Sequence, residues 1–152
     1  MQNRTGYEIK IREEEGKREI LDSIRKKWVA LTPEEYVRQL FIRYLTAEKK
    51  YPPEYISVEH AFSFANGKPQ RADIVIFGKK GKPLMIVECK APGVIIDTET
   101  FRQATRYNNI LQAPYIALSN GQKHYCLYTR DFIRYHHLKE FPNFPEIENM
   151  AL

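Results

Sequence analysis

Residues 71–90 decide the reading of this chain: Arg71-Ala72-Asp73-Ile74-Val75-Ile76-Phe77, a turn over residues 78–83, then Leu84-Met85-Ile86-Val87-Glu88-Cys89-Lys90. Two apolar runs of strand length, separated by Gly and Pro, predict a β-hairpin. Pairing Phe77 with Leu84 sets Val75 against Ile86 and Asp73 against Glu88 on one face, because side chains alternate with period two. Ile74 with Val87 and Ile76 with Met85 then fill the other face. The connection carries a basic loop, Lys79-Lys80-Gly81-Lys82, of ordinary hairpin length.

Directly opposed residues in such a pair have Cβ atoms ~4.5–5.5 Å apart, where like charges repel. A divalent cation bound by both carboxylates relieves the repulsion, and hard oxygen donors suit Mg²⁺ or Mn²⁺. Lys90 falls on the face of Glu88, one strand period further on. There an ammonium can orient a metal-bound water or stabilise charge developing on a phosphorus centre. The pattern alone leaves a second reading open, in which these are strand-end charges in water with Glu88 paired to Lys90. A register slip of one residue also sends Glu88 to the face opposite Asp73.

Working outward, Thr32 is a good N-cap, Pro33 suits the first helical position, and Glu35 completes a capping box. Val37, Leu40, Phe41, Tyr44 and Leu45 follow at helical spacing, and the helix should end near Lys49 or Lys50, before Pro52-Pro53. A strand is predicted over residues 55–64, with Val58, His60, Phe62 and Phe64 on one face. Asn66-Gly67-Lys68-Pro69 turns the chain into the central hairpin. A second helix runs from a cap at Asp97 to about Leu111. Strands over 115–119 and 123–128 join at Asn120-Gly121, a strong hairpin signal. Residues 7–24 read as a short strand or extended arm followed by irregular structure, and the tail with Phe141-Pro142-Asn143-Phe144-Pro145 as irregular chain.

At 152 residues the chain fits one domain. The expected layout is a core at 25–128, an N-terminal arm at 1–24 and a C-terminal tail at 129–152. With 43% hydrophobic residues it is far from a disordered composition. No apolar run approaches the ~20 residues of a membrane span, and the start lacks the apolar stretch of a signal peptide. A soluble cytoplasmic protein is expected. A net charge of +5 and a pI near 9.1 are compatible with a polyanionic partner such as nucleic acid. Cys89 and Cys126 have neither zinc-motif nor disulfide-framework spacing and read as small buried hydrophobes.

Ala72-Asp73 followed by Glu88-Cys89-Lys90 resembles the PD-(D/E)XK nuclease signature, with alanine in place of its first proline. Thr32-Pro33-Glu34-Glu35-Tyr36-Val37-Arg38-Gln39 and Arg71-Ala72-Asp73-Ile74-Val75 are similar to the N-terminal nuclease domain of type I restriction enzyme R subunits. Gln103-Ala104-Thr105-Arg106-Tyr107 resembles the Gln-x-x-x-Tyr motif of the RecB-like branch. Residues four apart share a helix face, so Gln103 and Tyr107 should point together toward the sheet. The resemblance covers roughly residues 25–128.

It implies an α/β (α+β-like) fold with a restriction-endonuclease-like core, a central mixed sheet of about four to five strands flanked by helices. It also implies roles. Asp73 and Glu88 would bind Mg²⁺ or Mn²⁺ with the Cys89 backbone carbonyl, and Lys90 would position or activate the attacking water. Gln103 and Tyr107 would contact DNA or support the site, and Glu34 or Glu35 could add an acidic group. The implied activity is metal-dependent hydrolysis of DNA phosphodiester bonds. R subunits couple that activity to an ATP-driven motor, and no Gly-x-x-x-x-Gly-Lys-Ser/Thr loop occurs here. A separate motor or restriction-modification subunit is therefore a candidate partner. The alternatives are a non-catalytic nucleic-acid-binding module and an accessory subunit of a defence complex.

Of the remaining residues, His60 reads as a satisfied core histidine. His136-His137 lacks the carboxylate or cysteine partners of a metal site. Trp28 reads as an anchor for the N-terminal segment. The Lys79-Lys80-Lys82 turn is open between a solvated loop and a phosphate contact beside the metal.

Overall fold

The computed structural model describes residues 7–150. The charged N-terminal segment is more regular than its sequence predicts. β1 (Ile11–Glu14), β2 (Lys17–Asp22) and β3 (Lys27–Ala30) form a three-stranded antiparallel sheet. Glu15 and Gly16 both adopt positive φ, 51° and 76°, which a tight two-residue hairpin requires. At the next turn the Asp22 carboxylate accepts the N–H groups of Ile24 and Arg25, both at 2.8 Å. Trp28 belongs to β3, and the Arg12 guanidinium lies 4.4 Å over its ring.

α1 (Pro33–Arg43) begins at Thr32, whose hydroxyl accepts the Glu35 N–H at 3.0 Å; such a cap contributes about 1 kcal/mol. The other half of the predicted capping box is absent, because the Glu35 carboxylate turns to Arg25, Arg38 and Gln39 instead. A π-helical turn over Tyr44–Glu48 extends α1 to its predicted end.

Six strands make the main sheet, in the order β4 (Ile56–Ser63), β5 (Pro69–Phe77), β6 (Pro83–Cys89), β7 (Tyr115–Ser119), β8 (His124–Tyr128) and β9 (His136–His137). Only the β6–β7 pair is parallel, and the crossover it needs is α2 (Thr98–Leu111), capped by Asp97 as predicted. Two apolar clusters cover the two faces. Val37, Phe41 and Ile42 of α1 pack with Ile74, Ile76, Met85 and Val87. Ala104 and Tyr107 of α2 pack with Val75, Ile86 and Ile116.

The tail departs from the irregular chain expected of it. β9 adds the sixth strand, and α3 (Phe144–Met150) buries Phe144 and Ile147 against the α1-side cluster. These elements are two and seven residues long, too short to leave a periodic signal.

The central hairpin pairs Ile74 with Val87, Val75 with Ile86 and Ile76 with Met85, the predicted register. A bulge between Ile76 and Phe77 then matches Phe77 to Pro83 rather than Leu84. The predicted common face of β4 is not formed. Val58 packs on the α1 side, whereas Phe62 and Phe64 pack on the α2 side. Alternation reverses at Glu59, which has φ 51° and is skipped in a ladder that pairs Val58 with Ile74 and His60 with Ala72.

Candidate active site

The reversal in β4 has a counterpart in β5. Ala72 packs on the α2 side and Ile74 on the α1 side, so alternation breaks at Asp73, the residue between them. The β5–β6 ladder stops at Ile74–Val87. Asp73 supplies the next bond with its side chain, Oδ2 accepting the Cys89 N–H at 2.8 Å. β6 continues alone beside β7, pairing through Cys89 with Ser119, and the Lys90 N–H reaches the Ser119 carbonyl at 2.8 Å. The strands thus part at the point where the chain presents Asp73, Glu88 and Lys90.

Asp73 and Glu88 come together closely enough for each to perturb the other's ionisation. Burial, followed by the Asp73 charge, pushes the Glu88 carboxyl well above the usual carboxylate range, with Lys90 opposing. Burial also raises Asp73, while the Cys89 N–H and the Arg38 guanidinium pull it down. Glu88 is 6% exposed, and its Oε1 is buried with no hydrogen-bond partner among the described residues. This burial departs from the reading of these charges as strand-end groups in water, although the Lys90 charge still acts on Glu88. The Cys89 thiol is buried in the α1-side core, which raises its pKa, so only the main chain of this residue belongs to the site.

A buried carboxyl oxygen without a partner beside a second carboxylate makes a pair of hard donors that shares a proton or takes a cation in its place. Among the described residues no group of three or more His, Cys, Asp or Glu side chains forms a complete cage. Two carboxylates nevertheless fit Mg²⁺, which commonly takes one or two and fills its remaining positions with water and substrate phosphate.

Sequence reasoning missed the charge network behind Asp73. Arg38 Nη1 faces Asp73 Oδ1 at 3.6 Å. The same guanidinium donates to both oxygens of Glu35, each at 2.8 Å, and approaches Glu59 at 3.4 Å. Arg25 uses all three of its nitrogens, Nε on Asp22 at 2.6 Å, Nη1 on Glu59 at 2.8 Å and Nη2 on Glu35 at 3.3 Å. The signals available in the sequence were Glu35 and Arg38 at helical spacing and Glu59 interrupting an apolar strand. Of the two α1 acids, Glu35 is committed to this network. Glu34 is exposed, and its charge reaches Asp73.

Gln103 and Tyr107 form a separate group on the α2 side. Gln103 Nε2 donates to the Tyr107 hydroxyl at 3.1 Å, and that hydroxyl donates to Gln70 Oε1 at 3.2 Å. Tyr107 also packs against Phe62 and Phe64, at 5.2 and 6.0 Å between ring centres. Among the described residues no hydrogen bond joins this group to Asp73, Glu88 or Lys90; β5, which carries Gln70 and Asp73, is the connection. His60 meets Ser57 at 3.1 Å and the Phe77 ring, and His136 and His137 are exposed. The Lys79–Lys82 turn lies at the opposite end of the hairpin from the carboxylates, past Phe77 and Pro83.

A mixed sheet with helices on both faces, and a carboxylate pair where its central hairpin parts, defines an α+β nuclease-like architecture consistent with the PD-(D/E)XK superfamily. Residues 33–142 match the family described as Type I restriction enzyme R protein N terminus (HSDR_N), and the chain belongs to that family. In fold the chain is similar to the fragment structure of a putative HsdR subunit of a type I restriction enzyme from Vibrio vulnificus YJ016. The TM-score is 0.60 at 18% identity, over 80% of this chain and 25% of that one. The chain thus spans a quarter of the length of that solved chain. No curated protein matches it. Among the described residues no helix is long and apolar enough to cross a membrane.

Proposed function

We propose that the chain is a metal-dependent nuclease that hydrolyses phosphodiester bonds in DNA. The observation that carries this reading is the orphaned, buried Oε1 of Glu88 beside Asp73 at the parting of β5 and β6. Asp73 and Glu88 would hold Mg²⁺ or Mn²⁺, together with the main-chain carbonyl of Cys89. A bound ion would lower the pKa of a water and polarise the scissile phosphate. Lys90 would orient the attacking water and offset charge on the phosphate as the new P–O bond forms and the ester bond breaks. Arg38 would keep the Asp73 carboxylate in place from behind. Gln103 and Tyr107 would support DNA contact through Gln70. By family, a motor or another restriction-modification subunit is the candidate protein partner.

The test is cleavage of single-stranded, double-stranded and branched DNA with Mg²⁺ or Mn²⁺. Wild-type cleavage no greater than that of Lys90→Ala rejects the catalytic reading. The second reading, a non-catalytic DNA-binding module, has one observation on its side: a guanidinium, Arg38, already faces Asp73. DNA binding indifferent to divalent ions, with no heat of Mn²⁺ binding, would favour it.

A further inference from the structure

Along β5 from Asp73, away from the bulge at Phe77, the outer ends of β4 and β5 form an open cleft of ≈ 620 Å³ lined by Ala61, Phe62, Ser63, Pro69, Gln70 and Arg71. None of these residues is acidic, and three of them, Ala61, Ser63 and Pro69, are small and exposed, so a polyanion can approach the main chain. Arg71 stands two residues before Asp73, a rise of about 6.6 Å along a strand. A contact chain ties the two together. Arg71 Nη1 is 3.9 Å from Glu59, Glu59 is 3.4 Å from Arg38 Nη2, and Arg38 Nη1 is 3.6 Å from Asp73.

The Arg71 side chain is 71% exposed, and this distant ion pair is its only one among the described residues. Its donors therefore remain open to a ligand. Gln70 is the reverse case. Tyr107 holds its Oε1 at 3.2 Å, and Gln103 holds Tyr107 in turn, which leaves the Gln70 amide nitrogen as the group with unused donors.

We propose that this cleft seats the DNA strand that flanks the scissile phosphate, with Arg71 gripping a neighbouring phosphate and the Gln70 amide donating to the same backbone. The inference rests on the nuclease reading above and assigns the path its substrate takes. It also gives the Gln103–Tyr107 pair a physical task, orienting Gln70 at a distance from the carboxylates. Both contacts are to backbone, so the cleft positions a strand without reading its sequence. The basic Lys79–Lys82 turn lies at the other end of the hairpin, off this path.

The test is fluorescence anisotropy of a labelled DNA duplex without divalent ions, across a salt series. Arg71→Ala should weaken binding about tenfold and reduce the salt slope by about one. Arg71→Lys should recover much of the affinity, and Lys79→Ala should change neither quantity. Because Arg71 is exposed, the variants should keep wild-type unfolding curves. Binding by Arg71→Ala within about twofold of wild type, at an unchanged slope, overturns the proposal while leaving the nuclease reading intact. Arg71-dependent binding without Mg²⁺-dependent cleavage overturns the nuclease reading alone. Absence of DNA binding by the wild-type protein overturns both.

Discussion

Arg38 Nη1 stands 3.6 Å from Asp73 Oδ1, so the aspartate proposed to hold a metal ion is backed by a nearly buried cation. The guanidinium offsets part of the cost of burying Asp73, and it is itself sustained by Glu35 and Glu59. Arg38→Met leaves buried Glu35 and the half-buried Glu59 and Asp73 short of this partner. The expected loss of folding stability is about 3 kcal/mol, measured by urea denaturation. A loss below about 0.5 kcal/mol, the size of an exposed pair, would show that the network adds little to the fold.

The pH dependence of stability should carry the mark of Glu88. Its carboxyl is raised above the ordinary value of 4.5, by burial first and by Asp73 second. In that condition the folded state holds a proton that the unfolded chain releases. The contribution to stability is therefore greatest below the unfolded pKa and falls as pH rises through neutrality toward the raised value. Melting temperatures in EDTA between about pH 5 and pH 8 should fall in the wild type and flatten in Glu88→Gln. Equal slopes in the two proteins would show that Glu88 ionises as an ordinary carboxyl.

Divalent ions should reverse that penalty if the carboxylates bind them. A ligand that binds only the folded state, at a hundred times its dissociation constant, contributes about 2.7 kcal/mol. Mn²⁺ should accordingly raise the wild-type melting temperature and give a calorimetric binding heat. Asp73→Asn should lose both effects while remaining folded, since it keeps an oxygen able to accept the Cys89 N–H. A full Mn²⁺ response in Asp73→Asn would remove Asp73 from the ligand set.

Tyr107→Phe separates packing from hydrogen bonding. The ring stays against Phe62 and Phe64, while the hydroxyl that joins Gln103 to Gln70 is lost. Folding stability should drop by about 1 kcal/mol. DNA affinity should drop as well, because Gln70 is no longer held, and Gln103→Ala should act in the same direction. Unchanged DNA affinity in both variants would reduce the pair to a packing role.

The parts of this chain legible in its sequence are those governed by local rules. Thr32-Pro33 and Asp97 announced the two long helices through capping chemistry, and the apolar runs around residues 74–76 and 85–87 dictated their own register. What stayed hidden depends on long-range contact. The N-terminal sheet is written in charged residues whose partners lie on other strands, as with Arg12 over Trp28. The reversal at Glu59 and Asp73 breaks the period-two rule that made the hairpin readable, and a broken period looks like noise until both strands are seen together. Arg25 was invisible as a hub because its three partners come from the end of β2, α1 and β4. Gln70 carried no motif of its own and gained meaning only where Tyr107 reached it.

The Arg25 hub has a consequence for where the molecule can be cut. Recognisable family sequence begins at residue 33, after the arginine that neutralises Glu35 and Glu59. A fragment trimmed to that boundary loses Arg25 together with its partner Asp22, so the charge sum of the network stays the same. What goes is the guanidinium that joins the end of β2 to α1 and β4, and among the described residues buried Glu35 is left with Arg38 as its one ion-pair partner. The smallest unit that keeps the network whole is thus longer than the smallest recognisable one, and the first strands act as a brace behind the site.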